Sequence, residues 1–261
     1  MIDETGGLMG GAEASPSVDD TDLSFRMLTL EDFEAAFALQ EVCLAQLAPE
    51  NKSFVVPKTP EELRSYLTHD PARARGLMVG AFSHGALIAS SILALPQRAA
   101  DETEIGLLGV TCPASRVGVL KGAYVHPAHR RHHLHRALIH IRISAALIRD
   151  RQHLLTEIAI ANTPSLKGYF EANFKMIAIR FDRTDNTPLY YLYTPLQRPR
   201  FRDDFECVTC DDRDDLAFQE ALLYKGFLGS SMAPGGAIVY QRALNCGEVL
   251  GSLLAEDGNT L

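Results

Sequence analysis

The sequence predicts an α/β fold (α+β in stricter usage), and three observations predict it. Strand-like and helix-like stretches alternate along most of the 261 residues. Two apolar pairs, Leu77–Phe82 with Ala86–Leu95 and Lys175–Phe181 with Pro188–Tyr193, are joined by Ser83-His84-Gly85 and by a turn around Asp185-Asn186. Such short polar joints between apolar runs signal antiparallel hairpins. The third observation is Val117–Val125, an apolar strand that passes through a Val-x-Pro turn into an apolar-periodic helix.

The elements follow in order. Residues 1 to about 22 are rich in Gly, Ser, Asp and Glu without apolar periodicity, and read as a disordered leader. Leu23–Met27 is a short strand. Thr29 or Glu31 opens a helix with Phe33, Phe37, Val42, Leu44 and Leu47 at roughly helical spacing. Thr59 caps a second helix over Glu61–Thr68, with Pro60 at its first position. After the first hairpin, an apolar run at Ile105–Val110 fits no element firmly. The helix after Val125 runs from about His133 to Arg149, with Leu134, Leu138, Ile141, Ala145 and Ile148 on one face. Leu154–Ala161 is a strand and Pro164–Ala172 a helix, which leads into the second hairpin.

Beyond Pro195 the character changes. A charged linker from Gln197 precedes a strand (Phe205–Thr209), a helix (Asp212–Tyr224) and a weak hairpin (Phe227–Met232, Ala237–Gln241). Residues 197–246 are too few for an independent core and are expected to pack on the main domain, 23–196; residues 247–261 read as a flexible tail. Ala221–Phe227 echoes Tyr169–Phe174. It reads either as a glycine-capped helix or as a partial second copy of the earlier unit, and the cap is favoured because Gly just past a helix end is common.

The formal net charge is -8 and the pI about 5.6, which argues against a general nucleic-acid binder. No stretch is long and apolar enough to span a membrane, and the N-terminus lacks the pattern of a signal peptide. Five scattered cysteines do not make a disulfide framework, so a reduced, cytoplasmic location is expected. Cys207-Val-Thr-Cys210 has no second pair, and its two cysteines fall on opposite faces of a strand. Against the acidic background, Lys121–Arg151 carries seven Lys and Arg and one Asp, about +6. A cationic island of this kind points to one anionic ligand. Six histidines crowd the same stretch. His129 and His133 have a chelating i, i+4 spacing, but no Asp, Glu or Cys lies in the loop to complete a metal site, so none is expected.

The order strand, helix, helix, hairpin, strand, basic loop, helix, strand, helix, hairpin resembles the GNAT superfamily of acyl-CoA-dependent N-acetyltransferases over roughly Leu23–Leu196. Val125-His126-Pro127 matches the family's Val-x-Pro strand end. Arg130-Arg131-His132-His133-Leu134-His135 lies on its Arg/Gln-x-x-Gly-x-Gly/Ala loop, with histidines at both glycine positions. Asn162, Ser165, Tyr169, Asn173 and Phe174 fall on its Asn-x-x-Ala-x-x-x-Tyr-x-x-x-Gly-Phe segment.

The resemblance implies a mixed, mostly antiparallel twisted sheet flanked by helices, with a V-shaped split that holds acetyl-CoA. It implies acetyl transfer to an amine by direct attack in a ternary complex. Cofactor contacts would come from Tyr124, Val125, Arg130, Arg131, His132, His133, Leu134, His135, Arg136, Asn162, Ser165 and Tyr169. Tyr169 would be the general acid and a backbone N–H near Val125 the oxyanion donor. Glu157 is a candidate base, and ordered water can replace it. The alternative is a non-catalytic acyl-CoA or anion-binding module on a degenerate version of the fold. The expected partner is a small-molecule or peptide amine, with no nucleic acid and no membrane; a homodimer is left open.

Overall fold

Among the described residues ten strands form one sheet in the order β1-β2-β3-β4-β5-β7-β6-β9-β10-β8. They are β1 (Leu23–Met27), β2 (Gly76–Ser83), β3 (Ala86–Ala94), β4 (Val117–Val125), β5 (His153–Ala159), β6 (Lys175–Phe181), β7 (Pro188–Pro195), β8 (Phe205–Cys210), β9 (Leu228–Met232) and β10 (Ile238–Ala243). Among the described residues five helices flank it: α1 (Phe33–Ala45), α2 (Pro60–Leu67), α3 (Leu134–Ile148), α4 (Thr163–Glu171) and α5 (Leu216–Tyr224). This computed structural model describes residues 22–49, 51, 55–70, 73–98, 101, 105–106, 112–182, 185–196 and 205–243. The expected leader (all but Asp22), the charged linker, the tail and most of Ile105–Val110 lie outside the described residues. Among the described residues, no helix is long and apolar enough to cross a membrane.

Every strand pair is antiparallel except β4 and β5. Those two are joined through α3, and a parallel pair needs such a crossover. They pair only at Val117–Val119 with His153–Leu155, then part. On its other side β4 keeps to β3 but bulges, with three steps from Lys121 to Tyr124 set against two from Ile92 to Ser90. Gly122 sits in the bulge at φ +45, a left-handed conformation that glycine adopts without steric cost. The bulge re-aims the end of β4, and a gap opens between β4 and β5.

Apolar cores fill both faces. Leu134, Leu138 and Ile139 of α3 pack with Leu166, Tyr169 and Phe170 of α4 on one side. Leu28, Leu63, Leu67, Val119 and Leu155 lie on the α1–α2 side.

The C-terminal segment does not simply pack on the main domain. It continues the sheet, with Met176 of β6 paired to Gly229 of β9. Its topology repeats that of the preceding unit. In β5–α4–β6–β7 the last strand lies between the first two, and in β8–α5–β9–β10 it does the same. Both helices have nine residues and an acceptor N-cap: Asn162 takes the N–H of Ser165, and Asp215 takes that of Phe218. Both end in a left-handed residue, Asn173 (φ 66) or Gly226 (φ 80), followed by a buried Phe. Phe174 donates to Tyr169 O and Phe227 to Leu222 O, each at 3.0 Å. The glycine cap favoured from sequence is real, and it belongs to a second copy of the unit.

Candidate functional site

The gap between β4 and β5 ends at the basic loop. His126 donates its backbone N–H to Ile88 O of β3 at 2.9 Å. Neighbouring residues of a strand direct their backbone groups to opposite sides, so the N–H of Val125 faces the gap. Val125 O accepts from Arg130 Nε (3.4 Å) and from the Cys43 thiol (3.3 Å). Burial holds that thiol above its ordinary pKa and so in its protonated form.

Past a 3-10 turn at Pro127–His129, the chain reaches α3 with Arg131 at φ 69 and His133 at φ 55. L-residues adopt this region only at a cost of about 1–2 kcal/mol. The loop thus holds a backbone conformation usual for glycine with an Arg and a His in its place. None of the backbone N–H groups from Arg131 to Arg136 donates a hydrogen bond among the described residues. They surround a helix N-terminus, where the macrodipole is positive. The side chains of Arg131 and His133 are exposed there, while Arg136 reaches across to Glu171 of α4 at 3.4 Å. The cradle therefore suits an anion.

His135 does not enter the cradle. Its ring turns to α4, edge-on to Tyr169 at a centroid distance of 5.6 Å. Gly168 makes this arrangement fit, because a Cβ there would lie 3.2 Å from His135 Nδ1. Burial, with a smaller contribution from Arg142, pushes the imidazole down to about 4, so it is neutral near pH 7. Leu134 is likewise a core residue that offers only its N–H.

Tyr169 is 3% exposed and its ring lies against Phe174. Its hydroxyl accepts from Arg142 Nη2 at 3.3 Å. Arg142 is fully buried and bonds to the carbonyls of Leu138, Ile92 and Lys121. The last two belong to the β3–β4 pair at the bulge. One guanidinium thus ties α3, the parting strands and the Tyr169 hydroxyl together. On the opposite side of the gap, Thr156 Oγ1 donates to Leu120 O at 3.0 Å.

Other predicted residues take different places. The Tyr124 phenol is buried against α1, where its hydroxyl donates to Gln40 Oε1 at 2.9 Å, so the side chain points away from the cradle. Asn162 and Ser165 form the cap of α4, with Asn162 Oδ1 accepting from Ser165 N at 3.3 Å. Glu157 lies two residues past Leu155 and Lys121 two past Val119, so both are directed to the α1–α2 side of the opening. His126 and His129 stack edge-on, and His126 Nδ1 accepts from Ala128 N. Among the described residues no group of His, Cys, Asp or Glu is arranged to hold a metal.

The sequence reading missed Arg142, Gly168 and Thr156. Arg142 carried a signal, since it falls four residues after Leu138 in the Leu134–Leu138 stripe, a core position occupied by a charge.

No family model matches the sequence and no curated protein matches it. Solved structures do match. A Staphylococcus epidermidis protein described as an acetyltransferase aligns over 66% of this chain and 98% of its own, at 15% identity and a TM-score of 0.51. An acetyltransferase of the GNAT family from Streptococcus pneumoniae gives 66%, 98%, 15% and 0.50. A Salmonella typhimurium protein described as an acetyltransferase, solved with its cofactor acetyl-CoA, gives 70%, 98%, 14% and 0.50. At such identities the likeness is one of architecture, and by architecture this chain has the GNAT acetyltransferase fold.

Proposed function

We propose that the protein is an N-acetyltransferase, moving an acetyl group from acetyl-CoA to an amine that enters from the α1–α2 side. The observation that carries this reading is the cradle: consecutive unbonded N–H groups at the start of α3, rimmed by Arg130 and Arg131, at the mouth of a gap in the sheet. The pyrophosphate of coenzyme A would lie there, and bound acetyl-CoA would supply an activated thioester.

The remaining roles belong to the chain. The Val125 N–H would hold negative charge developing on the thioester oxygen. Glu157 faces the acceptor side and could take the amine proton directly or through water. Tyr169 accepts from Arg142, so its own proton is left for the gap and the departing sulfur. The enclosure of that hydroxyl favours a second reading, a binding module that holds acyl-CoA without turning it over.

Two measurements separate the readings. Coenzyme A should raise the thermal midpoint under both, by mass action on the folded state. Release of free thiol from acetyl-CoA with a panel of polyamines, aminoglycosides and peptide N-termini is expected only of the enzyme. Arg130→Ala should weaken coenzyme A binding about tenfold, the loss of one charge-assisted contact. Unchanged affinity in that variant would remove the pyrophosphate from this loop.

A further inference from the structure

The cationic island seen in the sequence is not one island. α3 has 15 residues, about 22 Å end to end, and it divides the charges. Arg130, Arg131 and Arg136 belong to its N-terminal end, and Arg142 is consumed inside the core. Arg149 and Arg151 lie at the far end, where nothing in the proposed reaction uses them.

There they line a cleft of about 270 Å³ with His69, Thr68 and Gln97, floored by apolar residues that include Leu28 and Leu77. Arg151 is 7% exposed. Its Nη1 serves the carbonyls of Pro96, Ala114 and Val117, while its buried Nε has no partner. Arg149 has only a 3.9 Å contact with the Met27 sulfur, and no carboxylate partner among the described residues. The nearest acid in sequence, Asp150, is engaged by Arg116.

Two guanidinium groups thus line one cleft, and the lining holds no carboxylate. Burial and the neighbouring Arg149 work against the Arg151 charge, and the smaller contribution of Asp150 does not offset them. The C-terminus of α3 offers Arg149 partial negative charge, but that falls well short of a full counter-charge. A buried cation beside a second cation is a costly arrangement unless an anion completes it.

We infer that this cleft is a second anion site, for a small multiply charged oxyanion such as a phosphate ester or a di- or tricarboxylate. Guanidinium forks bind both classes in the same way, and the imidazole, hydroxyl and amide at the rim supply further donors or acceptors. The site lies beside Val117, where β4 and β5 are still paired, at the end of the sheet opposite the cradle. It does not depend on the acetyltransferase reading.

The test is thermal melting and calorimetry of the full chain with inorganic phosphate and with citrate, at constant ionic strength against sodium chloride. Wild type should gain about 2 °C or more at anion concentrations well above Kd. Arg149→Ala, a change at a partly exposed position, should lose that gain, and Arg130→Ala in the cradle should keep it. The inference is overturned if neither anion shifts wild type, or if the shift survives Arg149→Ala and disappears in Arg130→Ala. A response to citrate alone or to phosphate alone assigns the class of ligand and supports the site.

Discussion

The units β5–α4–β6–β7 and β8–α5–β9–β10 share a strand order, helix length, N-cap chemistry and left-handed exit, yet differ in what their helices carry. Setting Phe174 against Phe227 places Tyr169 on Leu222, Gly168 on Ala221 and Leu166 on Gln219. The first helix presents a hydroxyl to a buried arginine beside an open strand. The second presents a leucine at that position. It carries instead a glutamine that accepts from Tyr190 at 2.9 Å and Tyr240 at 2.8 Å and donates to Arg213 O at 2.7 Å. Arg213 in turn reaches Thr163 at the start of α4. The difference teaches that this unit is a scaffold first. The candidate site residues lie in the copy next to the divided strand, and the other copy is tied to it through Arg213 and Thr163.

The largest expected effect comes from removing the hydroxyl that sets the copies apart. Tyr169→Phe should lower kcat about 100-fold or more, in the range of general-acid removal, with the KM for acetyl-CoA little changed. A raised KM with kcat unchanged would show that the tyrosine only shapes the site. Next, Gln219→Leu gives the second helix the first helix's residue and strands two buried phenols. A loss of about 2–4 kcal/mol by urea denaturation is expected.

A pH titration of stability probes the packing of His135 on α4, which has no counterpart on α5. Its folded-state value of about 4 lies below the ordinary value near 6.5, so the unfolded chain binds the proton first. The neutral ring's contribution is complete above about pH 6.5 and is lost as the pH falls toward 4, on the order of 2 kcal/mol. His135→Gln should flatten that slope. Smallest is Asn173→Gly, which copies the exit of the second helix and should gain up to about 1 kcal/mol by relieving a left-handed asparagine. A loss there would mean that the asparagine side chain contributes more than its backbone costs.

Much of the fold was legible because its signals are local. Hairpin turns, the Thr59 cap with Pro60, and the strand-to-helix transition at Val125 need only neighbouring residues. The second copy was half legible: its helix exit echoed the first, but strand order is a long-range property that no local pattern encodes. The loop was placed on a resemblance. What the sequence could not tell was where each histidine turns, because His135 is steered by Gly168, thirty-three residues away and on another helix. Arg142 was hidden for a similar reason, since its partners are carbonyls of β3 and β4, which carry no side-chain signature.

The palindromic strand order has a further consequence, for folding. The two copies meet at β6 and β9, and their helices cross the seam, α4 packing over β9 and α5 over β6. Each copy therefore shelters part of the other's apolar face, so loss of one should expose the other. Such interlocking joins the C-terminal copy to the first as one cooperative unit, and a single melting transition should report on both copies at once.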